Sequence, residues 1–173
     1  MPRNVEIKAR LTEPDATRRL VAAAADGPPT TLEQTDTFFR VADGRLKLRE
    51  FADGTAELIH YHRADTTVPA DSRYTKADVP DGAALRELLA AALGVRGRVV
   101  KRRLIFRVGR TRVHLDDVQG LGAFLELEVE MADGESLAAG AEEARRLMRA
   151  FAIPEDTLVA EAYVDLLERG GAG

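Results

Sequence analysis

The segment VEIKARL, residues 5–11, alternates strictly between apolar and charged side chains. A period of two is the repeat of a β-strand, in which successive side chains point to opposite faces. One face carries the polar residues Asn4, Glu6, Lys8 and Arg10. The other face carries Val5, Ile7, Ala9 and Leu11. The segment therefore predicts a strand with one charged face and one apolar face.

The same period recurs in four later segments, which are RLKLREF (45–51), VKRRLIFRV (100–108), TRVHLDDV (111–118) and FLELEVEM (124–131). The segment AELIHYHR (56–63) is less regular, because Glu57 and Arg63 share a face with Ile59 and Tyr61. Glycine turns such as Asp43-Gly44 and Asp53-Gly54 separate the runs. The pattern predicts a mainly antiparallel sheet.

Four segments with helical signals lie between or after the strands, at residues 12–25, 81–93, 136–152 and 154–169. Their apolar faces need a partner, and the apolar faces of the strands are the only surface large enough to provide it. We therefore expect helices on the outside of the sheet, with the charged strand faces directed elsewhere. The whole chain, residues 1–173, is expected to form one α+β domain.

Composition excludes several classes of protein. The chain has 173 residues and no cysteine, which excludes disulfides, thiolate metal sites and cysteine nucleophiles. Its formal charge of −4 argues against a nucleic-acid partner. No apolar run approaches the ~18 residues of a membrane span. We expect a cytoplasmic protein with no membrane partner.

Charge is segregated along the chain. Residues 96–112 hold eight Lys or Arg and no acidic residue, whereas residues 113–143 hold nine Asp or Glu and no Lys or Arg. One explanation is two neighbouring solvated strands whose outward faces attract each other. If the sheet instead closes on itself, the charged faces line one lumen, which is costly unless an anion and a cation bind there. A polyphosphate with a divalent metal meets both needs.

Five segments in this order resemble the CYTH superfamily, and specifically its class IV adenylyl cyclase branch. They are VEIKAR (5–10), LKLRE (46–50), KRR (101–103), HLDDVQGLGAFLELE (114–128) and EAYVDLL (161–167). The resemblance implies an eight-stranded antiparallel closed β-barrel, called a triphosphate tunnel, with helices packed on the outside. It also implies a nucleoside triphosphate or other triphosphate substrate, Mg²⁺ or Mn²⁺ as cofactor, and a homodimer.

The resemblance also implies roles for individual residues. The expected metal ligands are Glu6, Glu126, Glu128 and Asp116. The expected triphosphate-binding residues are Lys8, Lys47, Arg49, Arg63, Lys101, Arg103 and Arg112. Arg10 is added to them because it continues the inward face of its strand. The expected catalytic residues are Lys8, Arg49, Lys101, Arg103 and Asp116. Asn4 stands where the family motif has its first glutamate, and its amide could contact either metal or phosphate.

Three main functions remain open from the sequence, beside a biosynthetic enzyme that uses the tunnel on another phosphorylated substrate. The first is conversion of ATP to 3′,5′-cyclic AMP and pyrophosphate. The second is hydrolysis of thiamine triphosphate, inorganic triphosphate or a nucleoside triphosphate at the same site. The third is a module that binds nucleotide or polyphosphate without catalysis, as the loss of charge at Asn4 would allow.

The three histidines have different expected positions. His60 and His62 are expected on the outer face of their strand, without a metal. His114 is in phase with Arg112 and Asp116, so we expect it inside, in a hydrogen-bonded structural role or in proton transfer.

Overall fold

The computed structural model describes residues 3–171, so both ends of the predicted 1–173 domain lie outside the described residues. The strands are β1 (Arg3–Arg10), β2 (Thr30–Phe39), β3 (Arg45–Phe51), β4 (Ala56–Arg63), β5 (Ala70–Val79), β6 (Val95–Val108), β7 (Thr111–Val118) and β8 (Gly122–Glu130). The helices are α1 (Pro14–Ala24), α2 (Gly82–Leu93), α3 (Leu137–Ala150) and α4 (Tyr163–Gly170), with a 3₁₀ turn at Glu155–Thr157. None of the helices within residues 3–171 is long and apolar enough to cross a membrane.

The eight strands form a closed antiparallel barrel in the order β1-β5-β4-β3-β2-β6-β7-β8. Closure comes from pairing of β1 with β8, in which Glu6 lies opposite Glu128 and Lys8 lies opposite Glu126. The charged faces of the first and last strands thus become neighbours inside one lumen. The predicted α+β fold with a closed eight-stranded barrel is confirmed.

Strands β2 and β5 are not recognisable by alternation alone. In β2 the inward face mixes Leu32, Gln34, Asp36 and Phe38. Most of the β5 side chains are exposed or half-buried, because little of its outer face is covered. Neither strand separates apolar from polar residues by face, and that separation is the signal on which strand prediction depends.

The helices cover the outer faces of the barrel as expected. The largest core cluster joins β1, β7 and β8 to α3 through residues such as Val5, Leu127 and Leu147, all nearly inaccessible to solvent. Helix α2 covers Phe39 and Leu48 on the opposite side. This apolar shell directs the polar faces of the strands inward.

The helix predicted over residues 154–169 is wrong in its first half. Only the 3₁₀ turn and α4 are helical there, and the chain between them is extended. Leu158 bridges to Ala9, and the Val159 amide donates to the Lys8 carbonyl oxygen at 2.9 Å. Strand β5 pairs only with residues 3–6 of β1, so the remaining edge of β1 takes its hydrogen bonds from this segment.

Helix α4 then covers one end of the barrel. Tyr163 and Val164 pack with Phe38, Val99 and Phe124 in a second core cluster. The Tyr163 and Phe124 rings meet edge to face, with centroids 5.0 Å apart. One end of the lumen is therefore closed by an aromatic side chain of the carboxyl-terminal segment.

Close packing of α3 on β1 depends on Gly140. A Cβ at this position would lie 2.8 Å from Cγ2 of Val5, a rigid and fully buried side chain. We expect Gly140→Ala to lower the free energy of unfolding by about 1–3 kcal/mol, because overpacking outweighs the gain in helix propensity. Gly27→Ala is the matched control, since nothing lies within 4 Å of its Cβ position. Equal stability of the two variants in urea titrations would contradict this packing.

Candidate functional site

The lumen of the barrel holds a cavity of about 360 Å³ with walls from all eight strands. Nine of its lining residues are basic and five are acidic. The basic ones are Lys8, Arg45, Lys47, Arg49, Arg63, Lys76, Lys101, Arg103 and Arg112, and the acidic ones are Glu6, Asp36, Glu57, Glu126 and Glu128. The excess of positive charge favours an anionic ligand.

Asp36 on β2 holds three of these cations. Its carboxylate accepts hydrogen bonds from Arg49 Nε and Nη2, each at 2.8 Å, and from Lys47 Nζ at 3.0 Å. Lys101 Nζ lies 3.8 Å away. Burial alone would raise the pKa of Asp36, but the charges of Arg49, Lys47 and Lys101 outweigh it and hold this pKa well below its usual range. Asp36 is thus an ionised anchor for one wall of the cavity.

Asp116 on β7 has the same function for the neighbouring wall. Arg103 binds it through two hydrogen bonds, from Nε at 2.7 Å and from Nη2 at 2.6 Å, and the Tyr163 hydroxyl donates at 2.9 Å. Asp116 lies behind Arg103, outside the set of residues that line the cavity. Arg103 Nη2 also donates to Glu126 Oε2 at 2.8 Å, so Asp116 positions Arg103 beside the predicted metal ligands, and its own role as a ligand stays a prediction.

Lys101 lies between the two aspartates, with Nζ 3.8 Å from each of them. Its side chain is almost fully buried. Burial, followed by the charge of Arg103, lowers the pKa of Lys101 to about 7. A bound polyanion would raise this pKa, because negative charge stabilises the protonated amine.

Strands β7 and β8 carry a cluster that could hold a metal ion. His114, Glu126 and Glu128 each offer a ligand atom, and these atoms lie within 4.8 Å of one another. His114 Nδ1 is buried, has no hydrogen-bond partner within residues 3–171, and lies 3.7 Å from both Glu126 Oε2 and Glu128 Oε1. Two carboxylates and an unpartnered imidazole nitrogen fit a divalent cation.

Glu6 adjoins this cluster from β1, because it pairs across the strands with Glu128. Burial and then the Glu128 charge raise the pKa of Glu6 to about 7, while Arg63, 3.5 Å away, opposes the rise. The raised pKa of Glu6 reflects the free-energy cost of ionising several carboxylates close together in a buried site. A divalent cation would offset that cost.

Asn4 is fully engaged with protein groups. With its amide oriented to satisfy the local network, the oxygen accepts from Arg112 Nη2 at 3.2 Å and the nitrogen donates to the Arg3 carbonyl oxygen at 3.0 Å. Arg112 in turn contacts Glu128 through Nη2 at 2.8 Å. In this arrangement Asn4 positions Arg112 beside the acidic cluster.

The remaining predicted residues are divided between the cavity and the outside. Lys8 Nζ donates to the Glu161 carbonyl oxygen at 3.0 Å and lies 3.3 Å from Glu126 Oε1, within the cavity. Arg10 lies outside it, exposed, and donates to the Leu121 carbonyl oxygen at 2.8 Å. The inward phase of β1 continues to Arg10, but the packed Phe124 closes the barrel before it.

Several cavity residues were missed by sequence reasoning. Asp36 is the most important of them, and the others include Gln34, Arg45, Glu57 and Lys76. The available signal for Asp36 was a single acidic residue two positions before the apolar pair Phe38-Phe39, in the run TDTFF. That signal became informative only once β2 was known to line the lumen.

The two ends of the cavity differ in chemistry. Tyr163 covers one end, as described above. Towards the other end, the start of β2 and the ends of β3 and β6 contribute half-buried apolar side chains to the wall, namely Leu32, Phe51 and Ile105. The cavity therefore combines a charged centre with an apolar margin.

The chain belongs to the CYTH domain family, whose model matches residues 2–163. It is 26% identical over 133 residues to a "Putative adenylate cyclase" of Methanocaldococcus jannaschii, an alignment that covers 76% of this chain and 75% of the relative. These matches confirm the family resemblance found in the sequence.

Solved structures share the fold. A Pyrococcus horikoshii protein superimposes with a TM-score of 0.83 at 22% identity, covering 94% of this chain and 98% of its own. A "Putative adenylyl cyclase" from Hippeastrum, described as having a dominant triphosphatase activity, superimposes with a TM-score of 0.67 at 18% identity, covering 97% and 96%.

Removal of the Asp36 charge tests its role as an anchor. Asp36→Asn leaves Lys47, Arg49 and Lys101 without their shared anion, so we expect the free energy of unfolding near pH 6 to fall by roughly 3–5 kcal/mol. Asp117→Asn, on the exposed outer face of β7, is the control and should have little effect.

The loss should also depend on pH with a defined sign. A depressed pKa contributes stability that is complete above the pKa of the unfolded aspartate, about 3.9, and is lost as the pH falls through the folded value. The stability difference between wild type and Asp36→Asn should therefore shrink below about pH 4. A difference that grew on acidification would contradict an ionised Asp36.

Proposed function

We propose that the protein is a metal-dependent enzyme that binds a nucleoside triphosphate in the barrel and converts ATP to 3′,5′-cyclic AMP and pyrophosphate. The observation that carries the proposal is the presence, in one closed lumen, of anchored Lys and Arg side chains around the His114, Glu126 and Glu128 cluster. The basic side chains bind phosphate oxygens, and the cluster suits a divalent cation.

Anchored cations support binding of the triphosphate. Lys47 and Arg49 are fixed by Asp36, and Arg103 is fixed by Asp116 and by Glu126, whose Oε2 lies 2.8 Å from Arg103 Nη2. Because these side chains are already ordered, little conformational entropy is lost when phosphates replace water around them. The same preorganised charges would stabilise the negative charge that develops on departing pyrophosphate.

In the proposed reaction, the 3′-oxygen of ATP forms a bond to the α-phosphorus, and the bond from that phosphorus to the bridging oxygen breaks. The hydroxyl proton is released and pyrophosphate leaves. A divalent metal held by Glu126 and Glu128, with Glu6 beside them, would supply Lewis-acid stabilisation of the phosphoryl oxygens. Lys8 would contribute charge near the closed end, where the Glu161 carbonyl and Glu126 hold its amine.

The apolar margin of the cavity supports a substrate with an organic group. Inorganic triphosphate would gain nothing from Leu32, Phe51 or Ile105, whereas a nucleoside could bury its base and sugar against them. The relative from Methanocaldococcus jannaschii carries the name "Putative adenylate cyclase", which supports cyclisation of ATP as the reaction.

Hydrolysis is the second candidate function. It requires the same charges, with water attacking the terminal phosphorus in place of the 3′-hydroxyl at the α-phosphorus. The triphosphatase activity described for the Hippeastrum protein of the same fold favours this alternative. The two reactions differ in which phosphorus lies opposite the nucleophile.

Product identification separates the candidates. The protein is incubated with ATP, thiamine triphosphate and inorganic triphosphate, each with Mg²⁺ or Mn²⁺, and the products are resolved by chromatography. We expect cyclic AMP and pyrophosphate from ATP. Orthophosphate as the main product would overturn the cyclase in favour of a phosphohydrolase. Tight binding without turnover of any substrate would identify a binding module.

Two adjacent arginines, one inside the barrel and one outside, provide a matched test of triphosphate binding in the lumen. Arg103 lies inside the barrel, and its neighbour Arg102 is exposed beside Glu33. We expect Arg103→Ala to weaken binding of inorganic triphosphate at least tenfold in calorimetry without metal, since a charge-assisted hydrogen bond contributes about 1.5–3 kcal/mol. Arg102→Ala should bind like the wild type.

The milder variant Lys47→Gln serves if Arg103→Ala does not fold. It removes one cavity charge while keeping a donor for Asp36, and it should also weaken triphosphate binding. Equal affinities for the inner and outer variants would contradict binding inside the barrel.

A further inference from the structure

We propose that His114 is a nitrogen ligand of the divalent metal, and that it makes this site selective for a first-row transition ion such as Mn²⁺ over Mg²⁺. The inference deepens the proposed function, because it concerns the metal of that same site. It rests on the position of one imidazole nitrogen relative to two carboxylates.

The spacing of the three side chains matches a shared cation. Two ligands that are each about 2.1 Å from one ion lie roughly 3.0 Å apart at a right angle and roughly 4.2 Å apart when opposite each other. His114 Nδ1 lies 3.7 Å from Glu126 Oε2 and 3.7 Å from Glu128 Oε1, inside that interval. The three ligand atoms all lie within 4.8 Å of one another, so an ion between them needs the cluster to close by less than about 1 Å, beside Arg103 Nη2, which donates to Glu126 Oε2 at 2.8 Å.

Hydrogen bonding alone does not account for this arrangement. A protonated imidazole paired with a carboxylate would lie within about 3 Å of it. Among the residues that the structure describes, His114 Nδ1 instead has no hydrogen-bond partner, even though only 4% of the side chain is exposed, and buried nitrogens without a partner are rare. A cation bound by the Nδ1 lone pair would satisfy it.

The fold fixes this nitrogen in place. His114 is on β7 directly opposite Glu126 of β8, and Arg112 is opposite Glu128. The apolar neighbours Val113 and Leu115 are buried in the outer core, which holds the strand and directs His114 inward. The imidazole is therefore a rigid member of the cluster.

Ligand chemistry gives the selectivity. Mg²⁺ prefers six oxygen ligands and gains little from imidazole, whereas first-row transition ions accept a nitrogen ligand, Mn²⁺ the least strongly of them. A site of carboxylates alone would lack this discrimination. With His114 as ligand, the ratio of Mn²⁺ to Mg²⁺ affinity depends on one side chain.

Direct detection of the nitrogen tests the proposal without any substrate. Mn²⁺ is bound to the full chain, and pulsed electron paramagnetic resonance is used to look for ¹⁴N coupling from a coordinated imidazole. We expect this coupling in the wild type and its loss in His114→Asn. Absence of imidazole coupling in the wild type would overturn the proposal, even if the variant failed to fold.

A matched histidine supplies the control. The chain has three histidines, and His62 is half-exposed on the outer face of the barrel, bonded to Asp43 at 2.9 Å. His62→Asn should keep the nitrogen coupling. Loss of the coupling in His62→Asn with retention in His114→Asn would place the bound ion on the surface and refute the assignment.

Affinities give a second, independent readout. Asparagine places an oxygen near the former Nδ1 position, so His114→Asn exchanges a nitrogen ligand for an oxygen. We expect Mn²⁺ affinity to fall roughly tenfold or more while Mg²⁺ affinity changes little. Equal losses for both ions would contradict selectivity through His114. A protein that shows nitrogen coupling but no turnover would keep this inference and refute the enzyme function.

Discussion

Two buried aspartates hold the interior of this barrel together. The lumen contains lysines and arginines that would repel one another in a medium of low dielectric constant. Asp36 binds Lys47 and Arg49, and Asp116 binds Arg103. Lys101 lies at equal distance from both. Without these anions the closed sheet would enclose uncompensated charge, so the fold and the candidate site depend on the same contacts.

The acidic residues of the lumen differ in the groups that they contact. Asp36 and Asp116 use their oxygens on Lys47, Arg49 and Arg103. Glu126 and Glu128 also contact cations, namely Lys8, Arg103 and Arg112, but they are the carboxylates nearest to His114 Nδ1. The cavity thus places fixed cations around a carboxylate cluster. A metal-bound polyphosphate is complementary to both at once.

The carboxyl-terminal segment completes the lumen. Its Tyr163 hydroxyl binds Asp116, and the Glu161 carbonyl oxygen binds Lys8, so the segment that closes one end also positions groups of the site. Asp165 on α4 reaches Arg45 on β3 at 3.1 Å. Closure of the barrel end and order in the charged centre are therefore coupled.

The sequence by itself determined the charged and apolar faces of β1, β3, β6, β7 and β8, and with the family resemblance it determined the closed barrel. Alternation is a local property of the sequence. Because helices bury the apolar faces on the outside, the charged faces point into the barrel. The same phase placed Lys8, Lys101 and Glu126 in the lumen. The sequence could not determine which acidic side chain pairs with which basic one.

Only the tertiary structure decided those pairings. It placed Asp36 in the lumen from a strand without a clear pattern, paired Asp116 with Arg103, left Arg10 outside, and brought His114 to Glu126 and Glu128. The physical reason is that these contacts join residues far apart in sequence, through barrel register and the packing of α4. Periodicity specifies the face on which a side chain lies, whereas its partner depends on the register between strands.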